Sequence, residues 1–445
     1  MAIIAQRALF GWKEIEELGD LERLQLVLRT LPDEKLMRSL EAARGRGRDD
    51  YPVRPMWNSL VAGLLYQHDG VESLRRELKR NGQLRELCGF DPLKGLAAVP
   101  ESWNYSRFLD SLLEQYEALE AMFDAMVEKL QALLPDFGKR LAADGKAILS
   151  FARGRKKEEG EAKQEGKRDR RRDCDADWGV HSHRGVRQDG SAWEKVMSWF
   201  GYKLHLLVDA SYELPVGFTV TKASASELKQ LSVLLETTGS KHPELLNRAE
   251  QLAADKAYDD GKLLAELWDS RHIIPLIDIR NCWQDGEQTK LAGGQENVVY
   301  DYRGTVSCVC PATGQMREMA YGGFEEDRMT LKYRCPARHY GMECAGLERC
   351  PIAQAVRIPL SEDRRIFTPV ARSSYKWQRL YCSRTAVERV NSRLDVCLGF
   401  ERHTIRGLRK MKVRCALALV VMLTLAYGRI LQNQRDLMRS LTKAG

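Results

Sequence analysis

No apolar run in this 445-residue sequence reaches the ~20 residues that a helix needs to cross a bilayer. The longest, Cys415 to Tyr427, has the length of a buried helix, so we expect no membrane partner. Acidic residues occur early in the sequence, and its first residues have neither a charged n-region nor a small-residue cleavage site. No signal peptide is therefore predicted. Disordered and fibrous classes are excluded, because 44% hydrophobic and 30% charged residues are ordinary for a globular protein.

Cysteine and charge content bound the compartment and the partners. The eleven cysteines are an odd number without an export signal, which favours a reducing cytoplasm. The chain carries 70 Lys and Arg against 62 Asp and Glu, and this net charge of +8 permits a polyanionic partner without requiring one. The length is about three times the common domain size, which predicts two or three domains.

Residue patterns divide the chain into consecutive segments. An apolar stripe with helical spacing follows Trp103, strand-like runs of β-branched residues alternate with helical stretches after it, a turn-rich stretch with cysteines comes next, and helical periodicity returns near Tyr375. Strands interleaved with helices indicate an α/β fold, a mixed sheet flanked by helices. The predicted domains are residues 1–135 (helical), 136–280 (first part of the α/β core), 281–370 (inserted subdomain) and 371–445 (helical remainder of the core).

Two basic segments are candidates for contact with a phosphate backbone. The first, Arg153 to Asp173, has ten basic and six acidic residues, and is predicted to be a mobile loop or a solvated linker. The second, the helix Val71 to Asn81, presents Arg75, Arg76, Lys79 and Arg80. The alternative for this helix is an ordinary solvated face.

Three acidic residues on separate elements form the most informative constellation. Asp144 falls inside the first strand, Asp255 at the end of a later strand, and Glu388 on a helix. A strand aspartate is costly unless its charge is compensated, and converging carboxylates suit two Mg²⁺ ions ~4 Å apart that act in phosphoryl transfer. Taken singly, each acid has an alternative: a turn residue before Gly145, a helix cap, or an i,i+4 partner of Arg384.

The neighbours of Glu388 make the combination more specific. Tyr381, Arg384 and Glu388 are spaced by three and four residues, which predicts that they share one helix face. A guanidinium binds phosphate bidentately while a carboxylate binds a cation. Such a face therefore suits a site where metal and phosphate meet.

These motifs resemble the DDE transposases of bacterial insertion sequences. The similar segments are DGKAI from Asp144, DCDADWG from Asp173, GYKLHLLVDA from Gly201, ADKAYDD from Ala254, and the Tyr381-x2-Arg384-x3-Glu388 signature. The segment before the core also resembles the family's helical amino-terminal domain. The resemblance implies an RNase H-like core, and the 133 residues between Asp255 and Glu388 imply a subdomain inserted between the last core strand and the catalytic helix.

The same resemblance implies a function. Asp144, Asp255 and Glu388 would be catalytic and would ligate Mg²⁺, with Mn²⁺ able to substitute. The expected enzyme binds double-stranded DNA at terminal inverted repeats as a homodimer, nicks it, and joins the freed 3′-hydroxyl to target DNA in the cytoplasm. Two alternatives stay open, namely a metal-dependent nuclease that cuts without joining, and a catalytically inactive DNA-binding protein derived from a transposase.

One position departs from the family signature. Many relatives carry a lysine seven positions after the glutamate, whereas this chain has Asp395. We expect Arg389 and Arg393 to supply positive charge to DNA beside Tyr381 and Arg384. The stretch from Arg389 to Arg414 has eight basic residues and two acidic ones, and is expected to follow the substrate strand.

Five cysteines of the predicted insertion lie between residues 308 and 350, together with His339. They are Cys308, Cys310, Cys335, Cys344 and Cys350. Four such ligands suffice for a tetrahedral structural Zn²⁺, but the spacing is irregular. The sequence leaves two readings, a zinc site or free thiols that pack a small subdomain.

Overall fold

The computed structural model describes residues 18–45, 50–154, 173–187 and 191–442. The charged segment at 153–173 lies almost wholly outside these described residues, so its role stays a prediction. The described parts combine helices with a mixed sheet and begin with a helical region, which confirms the predicted α/β class.

The amino-terminal region consists of helices with one buried apolar face each. Its helices are α1 (Leu21–Thr30), α2 (Glu34–Arg44), α3 (Val53–Leu65), α4 (Val71–Arg80), α5 (Gly82–Cys88), α6 (Ser102–Glu114) and α7 (Tyr116–Leu133). The apolar stripe after Trp103 predicted a single helix, but the chain leaves helical geometry at Gln115. Because the stripe continues on both sides, with Leu112 and Leu119 both buried, periodicity does not reveal the break.

Helix α4 presents fewer basic side chains to solvent than its sequence suggested. Arg75 is buried and pairs with Glu72 at 2.9 Å and with Glu101. Arg80 pairs with Glu77 on the same helix. The expectation that Arg75 faces DNA is therefore wrong, because two carboxylates hold its guanidinium within the protein.

A mixed sheet follows the helical region. Its strands are β1 (Arg140–Leu149), β2 (Asp177–Val186), β3 (Ala192–Asp209), β4 (Leu214–Lys222), β5 (Gln251–Ala254) and β6 (Ile274–Ile277). The order is β2–β3–β1–β5–β6, with β4 also paired to β3. Strand β3 runs antiparallel to both of its neighbours β1 and β4, whereas β5 and β6 run parallel to β1. This is the RNase H-like mixed sheet that we expected.

Strand β2 and the first half of β3 form a hairpin that the sequence did not predict. The two segments pair antiparallel from Asp177 opposite Gly201 onward. Both faces of this hairpin meet solvent, with Val180, Val196 and Met197 exposed. Because neither face is buried, the hairpin has no alternation of apolar and polar residues, which is the signal for a strand.

Short helices connect the strands and cover the sheet. They are α8 (Glu227–Lys241), α9 (Pro243–Asn247) and α10 (Gly261–Ala265). The first turn of α8 approaches β1 at Gly145, where a Cβ atom would lie 3.0 Å from the carboxylate of Glu227. Glycine at 145 therefore allows the helix to sit close to the strand.

Residues after β6 form two small sheets and then three helices. The elements are β7 (Lys290–Ala292), β8 (Gln295–Tyr300), β9 (Val306–Val309), β10 (Met316–Glu318), β11 (Ala320–Glu325), β12 (Thr330–Arg334), α11 (Pro336–Tyr340), β13 (Ala355–Pro359), α12 (Tyr375–Tyr381), α13 (Thr385–Leu398) and α14 (Leu408–Leu431). The small sheets enclose a hydrophobic cluster separate from the main one. Strands of three to six residues are too short for a clear pattern, so the sequence suggested only turns.

Helix α14 lies in the main hydrophobic core. Within the described residues it alone is long and apolar enough to cross a membrane, yet most of it is buried inside the protein. It packs on α1, α7 and β4, so the amino-terminal helices and the sheet share one continuous core. The prediction of a buried helix at Cys415 to Tyr427 is confirmed.

Candidate active site

Asp144 and Asp255 lie side by side at the edge where β5 ends. The parallel register pairs Ala143 of β1 with Ala254 of β5, and the two aspartates are the next residues. Asp144 accepts a hydrogen bond from the N–H of Gly145 at 2.8 Å. Asp255 accepts one from the N–H of Ala257 at 2.7 Å and so caps the following turn. The capping role foreseen for Asp255 is present, whereas Asp144 lies within β1 and not in a turn.

The electrostatic environment of Asp144 is strongly negative. Burial, reinforced by the neighbouring carboxylates of Asp255 and Glu227 and opposed by the N–H of Gly145 and by Arg384, raises the pKa of Asp144 to about 7. The charged form is therefore costly at this point of the fold unless a cation approaches. A set of oxygen ligands with excess negative charge fits a hard divalent ion.

Glu388 lies on α13, which packs against β1 and β3. Its carboxylate is 2.8 Å from the guanidinium of Arg384, and half of its side chain is exposed. The guanidinium also lies 5.9 Å from the ring centre of Tyr381. A single 3₁₀ turn, Cys382–Arg384, separates α12 from α13, so the three signature residues do not share one continuous helix as predicted, although Arg384 contacts both Tyr381 and Glu388.

Arg384 connects Glu388 to the aspartates. Its positive charge is stabilised by Glu388 and also acts on Asp144. Among the described residues, no three His, Cys, Asp or Glu side chains already lie within joint coordination distance of one ion. The structure thus brings Asp144 and Asp255 together, with Glu388 turned towards the guanidinium beside them.

A fourth carboxylate, Glu227, borders the site, and the sequence assigned it no role. It pairs with Lys203 at 2.8 Å, and both side chains are largely buried. Burial raises the pKa of Tyr258 well above its usual value, and the charges of Glu227, Asp144 and Asp255 raise it further, so this tyrosine borders the same cluster. No sequence signal marked Glu227, because its closeness to Asp144 arises only when α8 packs on β1.

Asp395, the residue that departs from the family signature, forms an ion pair with Lys146. The ammonium group of Lys146 lies 2.7 Å from Asp395 and 3.1 Å from Glu401. Lys146 is two residues after Asp144 and so shares its face of β1, while Asp395 is two turns after Glu388 on α13. An ion pair therefore joins the strand of one candidate ligand to the helix of another.

Arg389 and Arg393 do not extend freely from α13. Arg389 pairs with Glu213 at 2.7 Å, and Arg393 lies 3.7 Å from the same carboxylate with a side chain that is 14% exposed. Arg439 also pairs with Glu213, at 3.2 Å. The placement of Arg393 contradicts the expected DNA contact, because the turn between β3 and β4 supplies a buried acid that neutralises it. For Arg389, which is half-exposed, DNA contact stays a prediction.

Most basic residues of the stretch 389–414 also have partners within the protein. Arg409 pairs with Glu114 at 2.9 Å, Arg414 donates to the carbonyl of Phe400 at 3.1 Å, and Arg406 lies over the ring of Phe151. Composition alone does not separate such contacts from a DNA-facing row. The expected path of the substrate strand along this stretch remains a prediction.

The acidic segment DCDADWG has a structural role at the start of α14. Asp173 accepts hydrogen bonds from the Tyr202 hydroxyl at 2.6 Å and from the N–H of Gly407 at 3.1 Å. Asp175 accepts one from the N–H of Leu408, also at 3.1 Å. Two carboxylates thus compensate the amino terminus of this helix, where unpaired N–H groups favour negative charge.

Comparison with known proteins places the chain among DDE enzymes. Residues 168–424, more than half of the chain, match the family described as "Transposase DDE domain". This match includes Asp255 and Glu388 but begins after Asp144. Comparison with curated proteins finds no match. A solved structure of the piggyBac transposase synaptic complex with hairpin DNA aligns over 96% of this chain and 86% of its own, at 11% identity and a TM-score of 0.31, too low to compare sites.

Proposed function

The chain belongs to the DDE transposase family, and from this premise we propose that it mobilises a bacterial insertion sequence. It would bind the terminal inverted repeats, nick the DNA, and transfer the freed 3′-hydroxyl to target DNA. The observation that carries this proposal is the pairing of Asp144 with Asp255 at one sheet edge, with Arg384 linking them to Glu388. These contacts support a site that the three dispersed acids would share.

Asp144, Asp255 and Glu388 are the proposed ligands of Mg²⁺, with Mn²⁺ as a substitute. The donor set fits, because it offers carboxylate oxygens at a point where burial, and then the charges of Asp255 and Glu227, raise the pKa of Asp144. When bound, such ions lower the pKa of water and stabilise the leaving oxygen of a phosphoryl transfer. Glu388 has the freedom to join the aspartates, since half of its side chain is exposed.

Arg384 and Tyr381 would orient the DNA strand in this site. Arg384 is held by Glu388 in the free protein, so a Glu388 that turns to a cation would release the guanidinium for bidentate contact with a phosphate. Tyr381 stacks on the largely buried Trp377 at 4.5 Å between ring centres, which holds its ring against the site. Both residues therefore act as DNA-binding groups in the proposal.

We propose the domain division 1–135, 136–280, 281–370 and 371–445. The separate hydrophobic cluster formed by the small sheets supports an inserted subdomain. The helical amino-terminal region would bind DNA, and exposed Arg76 and Lys79 of α4 offer charge for it. Two ends of one element must be joined, so a homodimer on DNA is the assembly that the proposed reaction requires.

Cleavage of an oligonucleotide that carries the element's end tests this function. Asp255→Asn keeps the size of the side chain and removes its charge, so we expect Mg²⁺-dependent nicking to fall to background while DNA affinity is nearly unchanged. Glu236→Gln, an exposed position on α8, is the control and should cut like the parent. Nicking retained by Asp255→Asn would exclude this residue from the site.

The same experiment separates the two alternatives. A nuclease would nick in Mg²⁺ but give no joined product when target DNA is added. An inactive DNA-binding protein would bind the end without any metal-dependent nicking. Nicking together with a joined product supports the transposase.

A further inference from the structure

All five cysteines of the small-sheet region line one cavity. Cys308 and Cys310 come from β9 and its end, Cys335 precedes α11, and Cys344 and Cys350 flank the short turn after it. The cavity has a volume of about 10 Å³ and is otherwise bordered mainly by apolar groups. A space of this size is about that of one small bound species.

The sulfur positions suit a metal better than a disulfide. The Sγ atoms of Cys310 and Cys344 lie 3.9 Å apart, and all the cysteines are free thiols. A tetrahedron with Zn–S bonds of about 2.3 Å has S···S edges of roughly 3.8 Å. This pair therefore already has the separation of two zinc ligands.

The remaining thiols gather beside this pair. Cys308 is close enough to Cys335, Cys350 and Cys344 for their charges to act on it. The Sγ of Cys350 also accepts a hydrogen bond from the side-chain amide of Asn297 at 3.4 Å. Five sulfurs from four separate chain segments thus converge, although they lie up to 42 residues apart in sequence.

The loop after β9 directs donors at one sulfur. The Sγ of Cys310 accepts hydrogen bonds from the hydroxyl of Thr313 and from the N–H groups of Ala312 and Thr313. Gly314, with a φ of +68°, closes this turn through its N–H to the carbonyl of Cys310 at 2.8 Å. Three donors therefore hold this sulfur in place at the cavity.

His339, the only imidazole of this segment, faces elsewhere. Its Nε2 lies 3.4 Å from the guanidinium of Arg334, and its ring contacts Tyr340. The ligand set therefore consists of sulfur alone. Sulfur ligands in tetrahedral number select Zn²⁺ over the hard ions expected at the carboxylates.

We propose that this cluster is a structural Zn²⁺ site in which Cys310 and Cys344 form one edge and two of Cys308, Cys335 and Cys350 complete the tetrahedron. No three thiols of the described residues yet share one coordination point, so the ion would draw them together. Four thiols would release their protons as they bind. The site would hold the segment 335–350 on the small sheet. The segment is short and has little apolar surface with which to pack there on its own.

Metal analysis of the full-length protein tests the site. Protein purified with reductant and without added metal should contain one zinc per chain, and Cys344→Ser should lose it. Cys282→Ser, an exposed cysteine outside the cluster, is the matched control and should retain it. Asp255→Asn should also retain zinc, which separates this site and its test from the proposed catalytic one.

Spectroscopy covers the case in which Cys344→Ser does not fold. Protein refolded with Co²⁺ should give the intense visible bands and sulfur-to-metal charge-transfer bands of a tetrahedral thiolate site. Parent protein without zinc and without these bands would overturn the proposal, as would zinc lost equally from Cys282→Ser. Disulfides found among the five cysteines by mass spectrometry would overturn it too.

Discussion

Breaking the ion pair between Lys146 and Asp395 is the sharpest test of how the two halves of the catalytic site are held together. The side chains are 9% and 29% exposed, and the nitrogen and oxygen lie 2.7 Å apart. Lys146→Met removes the ammonium group and leaves the carboxylate poorly compensated, because one of its oxygens is already buried without a partner. Removing one partner of a buried pair costs about 3–5 kcal/mol, and the partial exposure of Asp395 favours the lower end, about 3 kcal/mol.

A double variant measures the interaction between Lys146 and Asp395 separately from the contacts that each makes with other residues. Lys146→Met with Asp395→Leu replaces both charges with apolar groups, so the free energy of unfolding should return to within about 1 kcal/mol of the parent. Glu401 contributes little to the cycle, because its side chain is 60% exposed. Urea denaturation of the parent, both single variants and the double variant measures the coupling.

Nicking by the same proteins tests the link to function. Lys146→Met should lower kcat more than it raises KM, because the pair aligns the strand of Asp144 with the helix of Glu388. The double variant should recover stability but only part of the rate, since apolar contact orients the helix less strictly. A coupling free energy below about 0.5 kcal/mol would refute the reasoning, since double-mutant cycles give values of this size for pairs that do not interact.

Two further predictions concern buried charge. Burial, reinforced by the charge of Lys203, lowers the pKa of His205 to about 4. Between pH 6.5 and pH 4 the unfolded chain therefore binds a proton at this histidine that the folded protein does not bind. The free energy of unfolding consequently falls as the pH drops through this range. At 1.36 kcal/mol per pH unit, the free energy of unfolding should be about 2 kcal/mol lower at pH 5 than at pH 7. His205→Gln should remove this difference. A variant with the same pH dependence as the parent would exclude His205 as its source. Glu213→Gln and Arg393→Ala should each lower the free energy of unfolding by about 2 kcal/mol with little change in DNA affinity. An Arg393→Ala protein of parental stability that has lost DNA affinity would instead restore the role expected from sequence.

The residues around the carboxylates show which parts of such a site a sequence reveals. Asp144 and Asp255 were recognisable because each follows or interrupts a strand, and Glu388 because helical spacing joins it to Tyr381 and Arg384. The adjacency of Asp144 and Asp255 follows from the parallel pairing of β1 with β5. Local pattern was therefore sufficient to mark these positions, and their catalytic role stays a prediction.

The parts that could not be predicted depend on packing between distant elements. Glu227 approaches Asp144 only through the position of α8, and Glu213 meets Arg393 across 180 residues of sequence. The hairpin of β2 and β3 was missed because both its faces are solvated. Basic composition did not distinguish arginines that face DNA from those paired within the protein, because such pairing also depends on packing between distant elements.

The position of α14 determines when helix α1 can complete its packing during synthesis. Gly428 permits close contact with α1, since a Cβ atom there would lie 2.8 Å from Leu26. Helix α1 therefore meets α14 only after some four hundred further residues have been translated. A nascent or prematurely terminated chain would expose that apolar surface to chaperones and proteases, so incomplete copies of such a gene would yield no lasting DNA-binding fragment to compete with the full enzyme.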